Sequence, residues 1–229
     1  THFVNCTGLD DGEDAKNHLT SAYDIALMSR QLLYYHPSVK NYTTIWMDTV
    51  RDGTFGLSNT NKLVRFYSGC TGLKTGYTSQ AGFCLSASAM REDMELIAVV
   101  LGCSTSQERF SACKSMLDYG FSNYALIQPD VDAYPEVHIT LGVKKQVKVT
   151  TADRCSLLID KGQKNEVRCT LEVMEKVTAP VSKGQRLGTM TVRCGEQILA
   201  QLPLVAEETV PRLSFGQIWK NLLRTLFLG

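Results

Sequence analysis

Gly72 to Ala89, GLKTGYTSQAGFCLSASA, is the stretch of this 229-residue chain from which the fold can be read. Lys74-Thr75-Gly76 lies in one extended segment, and Gly82 to Ala89 reads as a strand beside it. The polar turn Arg91-Glu92-Asp93 then leads into the apolar run Leu96 to Leu101. Extended segments this close, joined by short polar turns, pair antiparallel. Helical periodicity flanks the sheet on both sides. The segment from Ser21 to Tyr35 opens on Ser21 and Asp24 in an S-x-x-D cap, carries Ala22, Ile25, Ala26, Leu32 and Leu33 at helical spacing, and is stopped by Pro37. Ser106 to Tyr119 puts Phe110, Cys113 and Leu117 on one stripe, with Gly120 expected as its stop. Strands between helices predict an α+β domain.

Between the first helix and the K-T-G stretch, Asp52-Gly53 reads as a turn and Gly56 to Asn61 as a polar loop before the short apolar stretch Leu63 to Tyr67. Beyond the second helix, Gln128 to Glu136 holds Pro129, Pro135 and two aspartates and reads as a linker. The texture then changes to short alternating strands: Val137-Ile139-Leu141, Val147-Val149, Val167 to Val173 and Met190 to Val192. Gly142, Lys161-Gly162, Lys183-Gly184 and Cys194-Gly195 mark turns between them, as expected of a small all-β module. The boundaries predicted are 1–127, 128–210 and 211–229.

The last segment has helical period. Phe215, Ile218, Trp219, Leu222, Leu223, Leu226 and Phe227 share one face, with Gln217, Lys220, Asn221 and Arg224 opposite. From Pro211 onward there are three basic residues and no acidic one, whereas the whole chain carries a net charge of only +1. Two readings fit such a helix: it lies in a membrane interface, or it docks on its own β-module or on a partner.

Composition excludes several classes. With 44% hydrophobic and 21% charged residues the chain is neither disordered nor low in complexity. The near-zero net charge gives no general attraction to nucleic acid. No run of eighteen apolar residues is present to span a bilayer as a helix. Thr1 to Thr7 lack a charged and then apolar signal pattern, so the chain is expected to begin as a processed or truncated polypeptide. The eight cysteines contain no C-x-x-C and do not cluster with the four histidines. That spacing supports neither a metal site nor a redox motif, and most of the thiols are expected to be small buried hydrophobes.

Lys74-Thr75-Gly76 carries the chemistry. On an edge strand beside a nucleophile, the ammonium sets a positive field and the threonine hydroxyl can bond a substrate carboxylate, while glycine lets a substrate backbone approach. Around it, in one order, stand THFVNCTGLDD at the start, TSAYDIALMSRQLL, NTNKL, the K-T-G stretch itself, LIAVVLG followed by Arg109, and PVSKGQRLG in the β-module. Together these resemble a serine D-alanyl-D-alanine carboxypeptidase, a low-molecular-mass penicillin-binding protein of the S11 peptidase type. The resemblance covers essentially the whole chain. It implies the later part of a β-lactamase-like catalytic domain, then a β-sandwich domain, then a membrane anchor built on Phe215, Ile218, Trp219, Leu222, Leu223 and Leu226. Lys74 would supply active-site electrostatics, Thr75 and Arg109 would bind the terminal carboxylate, Gly76 would keep the strand open, and the backbone N–H of Tyr77 would serve the oxyanion hole. The implied substrate is a peptidoglycan stem peptide ending in D-Ala-D-Ala. β-Lactams would acylate the enzyme, no metal or cofactor is needed, and the site of action is the outer face of the bacterial cytoplasmic membrane.

The family's S-x-x-K and S-x-N motifs, which precede K-T-G, have no match before Lys74. Ser111-Ala112-Cys113-Lys114 fits S-x-x-K but follows K-T-G and reads as a solvated helix pair. The chain by itself is therefore expected not to hydrolyse anything, and residues 1–127 are expected to need a complementary N-terminal fragment for a well-ordered fold. The alternative function is a catalytically inactive, membrane-tethered peptide-binding or structural module.

Overall fold

A computed structural model describes residues 1–10, 12–131 and 133–228. The chain divides into two compact units, Thr1–Tyr124 and Ala125–Gly229. The expected boundary at 127/128 falls just beyond this division.

In the first unit the Ser21 hydroxyl accepts the Asp24 N–H at 3.1 Å and starts α1 (Ala22–Tyr35). Ser29 and Leu33 are the buried residues of this helix, whereas Leu32, expected on the packed stripe, is exposed. Ser29 meets Ser86 hydroxyl to hydroxyl at 2.8 Å, a polar link from helix to sheet. A short helix, α2 (Lys40–Thr43), precedes a hairpin of β1 (Met47–Val50) and β2 (Phe55–Ser58), closed at the Asp52-Gly53 turn with Val50 opposite Phe55. Gly56 to Ser58, expected in a loop, thus belong to a strand. Every residue of this hairpin is exposed, so no buried face imprinted an alternation that the sequence could betray. The one-turn helix α3 (Leu63–Phe66) follows.

The sheet expected around K-T-G is built from β3 (Cys70–Thr78), β4 (Gly82–Arg91) and β5 (Met94–Cys103), antiparallel in the order β3-β4-β5. Glu92 and Asp93, both at positive φ, make its tight second turn. Against it packs α4 (Ser106–Asn123), capped by the Thr105 hydroxyl on the Glu108 N–H, with the Glu108 carboxylate returning to the Ser104 N–H. Gly120 does not stop this helix. It is buried inside it, where an added Cβ would stand 2.4 Å from Leu96 Cδ1, so the glycine serves close packing on β5. Tyr67 donates to Asp118 at 2.8 Å, and burial together with that bond pushes its hydroxyl up to about 12.

The second unit is mostly strand. β6 (Tyr124–Ile127) pairs with β9 (Leu157–Asp160), while β7 (Glu136–Thr140), β8 (Gln146–Thr151), β10 (Val167–Val173), β11 (Lys176–Thr178), β12 (Arg186–Cys194) and β13 (Gln197–Ala206) form one sheet in the order β10-β12-β13-β8-β7-β11. Alternate residues of these strands, among them Val137, Ile139, Val147, Val149, Met190, Val192 and Leu204, make a core exposed by 3% or less, in a small β-sandwich. Leu141, expected to continue this alternation, lies past the end of β7 at positive φ and is exposed. Lys161-Gly162 begins a short 3-10 helix rather than a simple turn. β13 was not expected, because Pro203 interrupts its pattern. The proline stands where β13 and β8 part: its carbonyl accepts the Ala152 N–H at 3.1 Å, and the ladder with β8 runs from Leu204 onward. The unit ends in α5 (Phe215–Leu228).

The cysteines depart from expectation. Only Cys113 and Cys194 are buried; Cys6 is exposed and the remaining five are half-buried, all eight as free thiols. Burial pushes the Cys113 thiol up to about 12, so it stays protonated and is no nucleophile at neutral pH.

Candidate functional site

Strand β3 is an outer strand: β4 covers one edge, and no strand among the described residues of the sheet covers the other. Lys74, Thr75, Gly76 and Tyr77 stand opposite Ser86, Leu85, Cys84 and Phe83. Thr75 is buried, at 8% exposure, whereas Lys74, Gly76 and Tyr77 are exposed. The Lys74 ammonium donates to the Thr75 carbonyl, so the charge rests over its own strand. Tyr77 packs its ring against Phe83 with centroids 4.3 Å apart.

Arg109 reaches this strand from the first turn of α4. Its Nη1 donates to the carbonyl oxygens of Gly76 at 3.0 Å and Cys84 at 3.2 Å, and its Nη2 to the Ser106 hydroxyl at 3.3 Å. The guanidinium also lies over the rings of Phe83 and Phe110. It is 7% exposed, and its Nε has no hydrogen-bond partner among the described residues. Neither Lys74 nor Arg109 takes part in an ion pair of the described residues. Two cations without a carboxylate therefore converge on one strand, an arrangement complementary to an anionic ligand group.

Beside the strand opens a cleft of about 400 Å³, walled by Ile25, Met28 and Leu32 of α1 and by Leu85 and Ser86 of β4, with Lys74, Thr75 and Gly76 along its side. Gly76 is not needed by the fold: a Cβ there would meet only Cys84 Cβ, at an ordinary 3.8 Å. Gly72, on the same strand, is needed. At φ 146° its added Cβ would strike Thr43 at 2.8 Å.

The loop Asn59-Thr60-Asn61 carries contacts that the sequence reading passed over. Thr60 Oγ1 lies 2.6 Å from Thr75 Oγ1. Asn59 Nδ2 donates to the Ile45 carbonyl at 3.0 Å and its Oδ1 accepts the Asn61 N–H, while Asn61, 1% exposed, donates to the Gly72 carbonyl at 3.0 Å. The N-x-N spelling ahead of an apolar stretch was the available signal, since paired asparagines bond backbone in turns. Ser111 and Lys114, in contrast, are exposed on α4 outside its buried stripe. The described residues contain no group of three or more metal-ligating side chains.

Of the tail residues singled out in the sequence, Phe215, Ile218, Trp219, Leu222 and Leu223 are exposed by 38 to 82%. Among the described side chains of α5, the apolar ones are thus exposed. The side chain of Leu226 lies outside the described residues. No helix among the described residues is long and apolar enough to cross a membrane.

Residues 1–105 match the model of the D-alanyl-D-alanine carboxypeptidase family, peptidase S11, and residues 121–212 that of the penicillin-binding protein 5 C-terminal domain. The chain is 38% identical over 221 residues to D-alanyl-D-alanine carboxypeptidase DacF of Bacillus subtilis (strain 168), a match covering 94% of this chain and 56% of that protein. It is 30% identical over 216 residues to DacC of Escherichia coli (strain K12), covering 91% of this chain and 53% of that one. The crystal structure of penicillin binding protein 5 from Haemophilus influenzae superposes with a TM-score of 0.68 at 29% identity, covering 93% of this chain and 61% of that chain. The chain spans about half the length of the curated relatives it matches.

Proposed function

Because this chain belongs to the D-alanyl-D-alanine carboxypeptidase family, peptidase S11, we propose that it contributes the K-T-G side of an active site that removes the terminal D-alanine from peptidoglycan stem peptides. The observation that carries this reading is the outer strand β3, with Lys74 and Arg109 unneutralised beside an open Gly76.

In the proposed reaction a serine hydroxyl attacks the carbonyl carbon of the bond between the two D-alanines. The oxyanion that forms accepts the backbone N–H of Tyr77, on the outer strand, as one of its donors. D-Alanine departs with a proton as the ester forms, and water then hydrolyses the ester. Thr75 and Arg109 hold the substrate carboxylate while the positive charge of Lys74 raises the electrostatic potential along the strand. A β-lactam enters the same site and stops at the ester. The serine and its S-x-x-K lysine are not ahead of Lys74 in these 229 residues, and the enzyme proposed here is the protein that carries them together with this strand.

Incubation with a penicillin, followed by denaturing intact-mass and peptide analysis, tests the reading. The expected result is one β-lactam adduct on a serine outside the 229 residues, with the 229 residues unmodified. An adduct on Ser111, or on any other residue of this chain, overturns the assignment of roles. A protein that takes no adduct at all would be the tethered peptide-binding module instead.

We further assign α5 to a membrane surface, at an extracytoplasmic site. Its support is the set of exposed apolar side chains that includes Trp219, with Lys220 on the polar side. Deleting residues 213–229 is expected to release the protein from anionic lipid vesicles in a sedimentation assay while leaving penicillin acylation unchanged. Retained vesicle binding would instead favour a helix that docks on protein.

A further inference from the structure

We propose that Thr60 is a positioning residue that fixes the direction of the Thr75 hydroxyl, and that it acts on ligands bearing a free carboxylate; the inference rests on the function proposed above.

Two hydroxyls 2.6 Å apart share one hydrogen bond, which either oxygen can donate. A carboxylate has only acceptors, so Thr75 can bond it only by donating its single O–H. That leaves one direction for the pair: Thr60 must donate to the Thr75 oxygen. A hydroxyl that accepts while it donates is a stronger donor, because the two bonds polarise each other. Thr60 therefore reserves the Thr75 proton for the ligand and strengthens the bond it makes there.

The surroundings hold Thr60 to this task. The flanking asparagines are both occupied with backbone, Asn59 on Ile45 and Asn61 on Gly72 and on the Leu63 N–H. The loop is thus fixed to the same strand that carries Thr75, at Gly72, three residues before it. Thr75 itself is 8% exposed, so few waters compete for the orienting role. Lys74 stands beside the pair but supplies only donors, and its ammonium is engaged with the Thr75 carbonyl rather than the hydroxyl.

The test uses the full-length enzyme and two N-acylated peptides ending in D-Ala-D-Ala, one with a free terminal carboxylate and one with a terminal amide. Thr60→Val keeps the shape and removes the hydroxyl. It is expected to lower kcat/KM about 3- to 10-fold for the carboxylate peptide, the range for one lost hydrogen bond, and to leave the amide peptide unaffected. Thr60→Ser is expected to restore most of the loss. In a Thr75→Val background, Thr60→Val is expected to add nothing further, which a double-mutant cycle reads directly. Equal losses with both peptides, no recovery in Thr60→Ser, or full additivity with Thr75→Val would each overturn the role of Thr60. Failure of the wild-type enzyme to cleave either peptide would instead overturn the function on which it rests.

Discussion

Lys74→Met is expected to slow penicillin acylation of the full-length enzyme by roughly 10²- to 10³-fold, the scale seen when one electrostatic stabiliser of an acyl-transfer site is removed. The substitution keeps the length and much of the packing of the lysine stem and removes the charge together with its hydrogen bond to the Thr75 carbonyl. Lys74 is exposed on the outer strand, and no ion pair of the described residues depends on it, so thermal stability should stay within about 0.5 kcal/mol of wild type. The measurement is the second-order rate of acylation by a fluorescent penicillin, with the melting temperature beside it. A normal rate in a folded Lys74→Met protein would remove Lys74 from the site. A collapsed melting temperature would make the lysine a structural residue.

Arg109→Ala should act on both quantities at once. The side chain is 7% exposed, and its loss withdraws charged donors from the carbonyls of Gly76 and Cys84. One hydrogen bond to a charged group is worth roughly 1.5 to 3 kcal/mol, so a stability loss of about 3 kcal/mol is expected from denaturant unfolding. Because Gly76 belongs to the K-T-G strand, acylation should fall as well, by about 10- to 100-fold. Arg109→Lys separates the two contributions. A lysine returns the charge but not the planar fork, whose Nη1 bonds the carbonyls of Gly76 and Cys84 while its Nη2 bonds the Ser106 hydroxyl, so it should recover part of the acylation rate and little of the stability. Full recovery of both would mean that one charged nitrogen suffices and that the geometry of the fork does not matter.

The parts of this molecule that could be read in the sequence are those whose cause is local. The Ser21 and Asp24 cap, the Glu92-Asp93 turn and the strand from Gly82 to Ala89 each depend on residues a few positions apart, and each stands where expected. Gly120 was misread because a glycine after an apolar stripe has two physical uses. Its real one, making room for Leu96, depends on a residue 24 positions earlier that no local pattern indicates. The hairpin from Met47 to Ser58 was half missed for the opposite reason, since a strand pair with both faces exposed leaves no trace in hydrophobic period. In the site, K-T-G and Arg109 were legible only as a family pattern. That Arg109 spends its donors on Gly76 and Cys84, and that Thr60 meets Thr75, are facts of tertiary geometry.

Gly72 and Gly76 lie four residues apart on one strand, yet different constraints hold them. The backbone and Thr43 forbid a side chain at Gly72, whereas the fold would accept one at Gly76. A library of variants sorted by expression or protease resistance would therefore register the first glycine and let the second drift. Sorted by capture on an immobilised penicillin, the same library would retain both. The difference between the two profiles at Gly76 is a direct map of what the ligand, rather than the chain, requires of that strand.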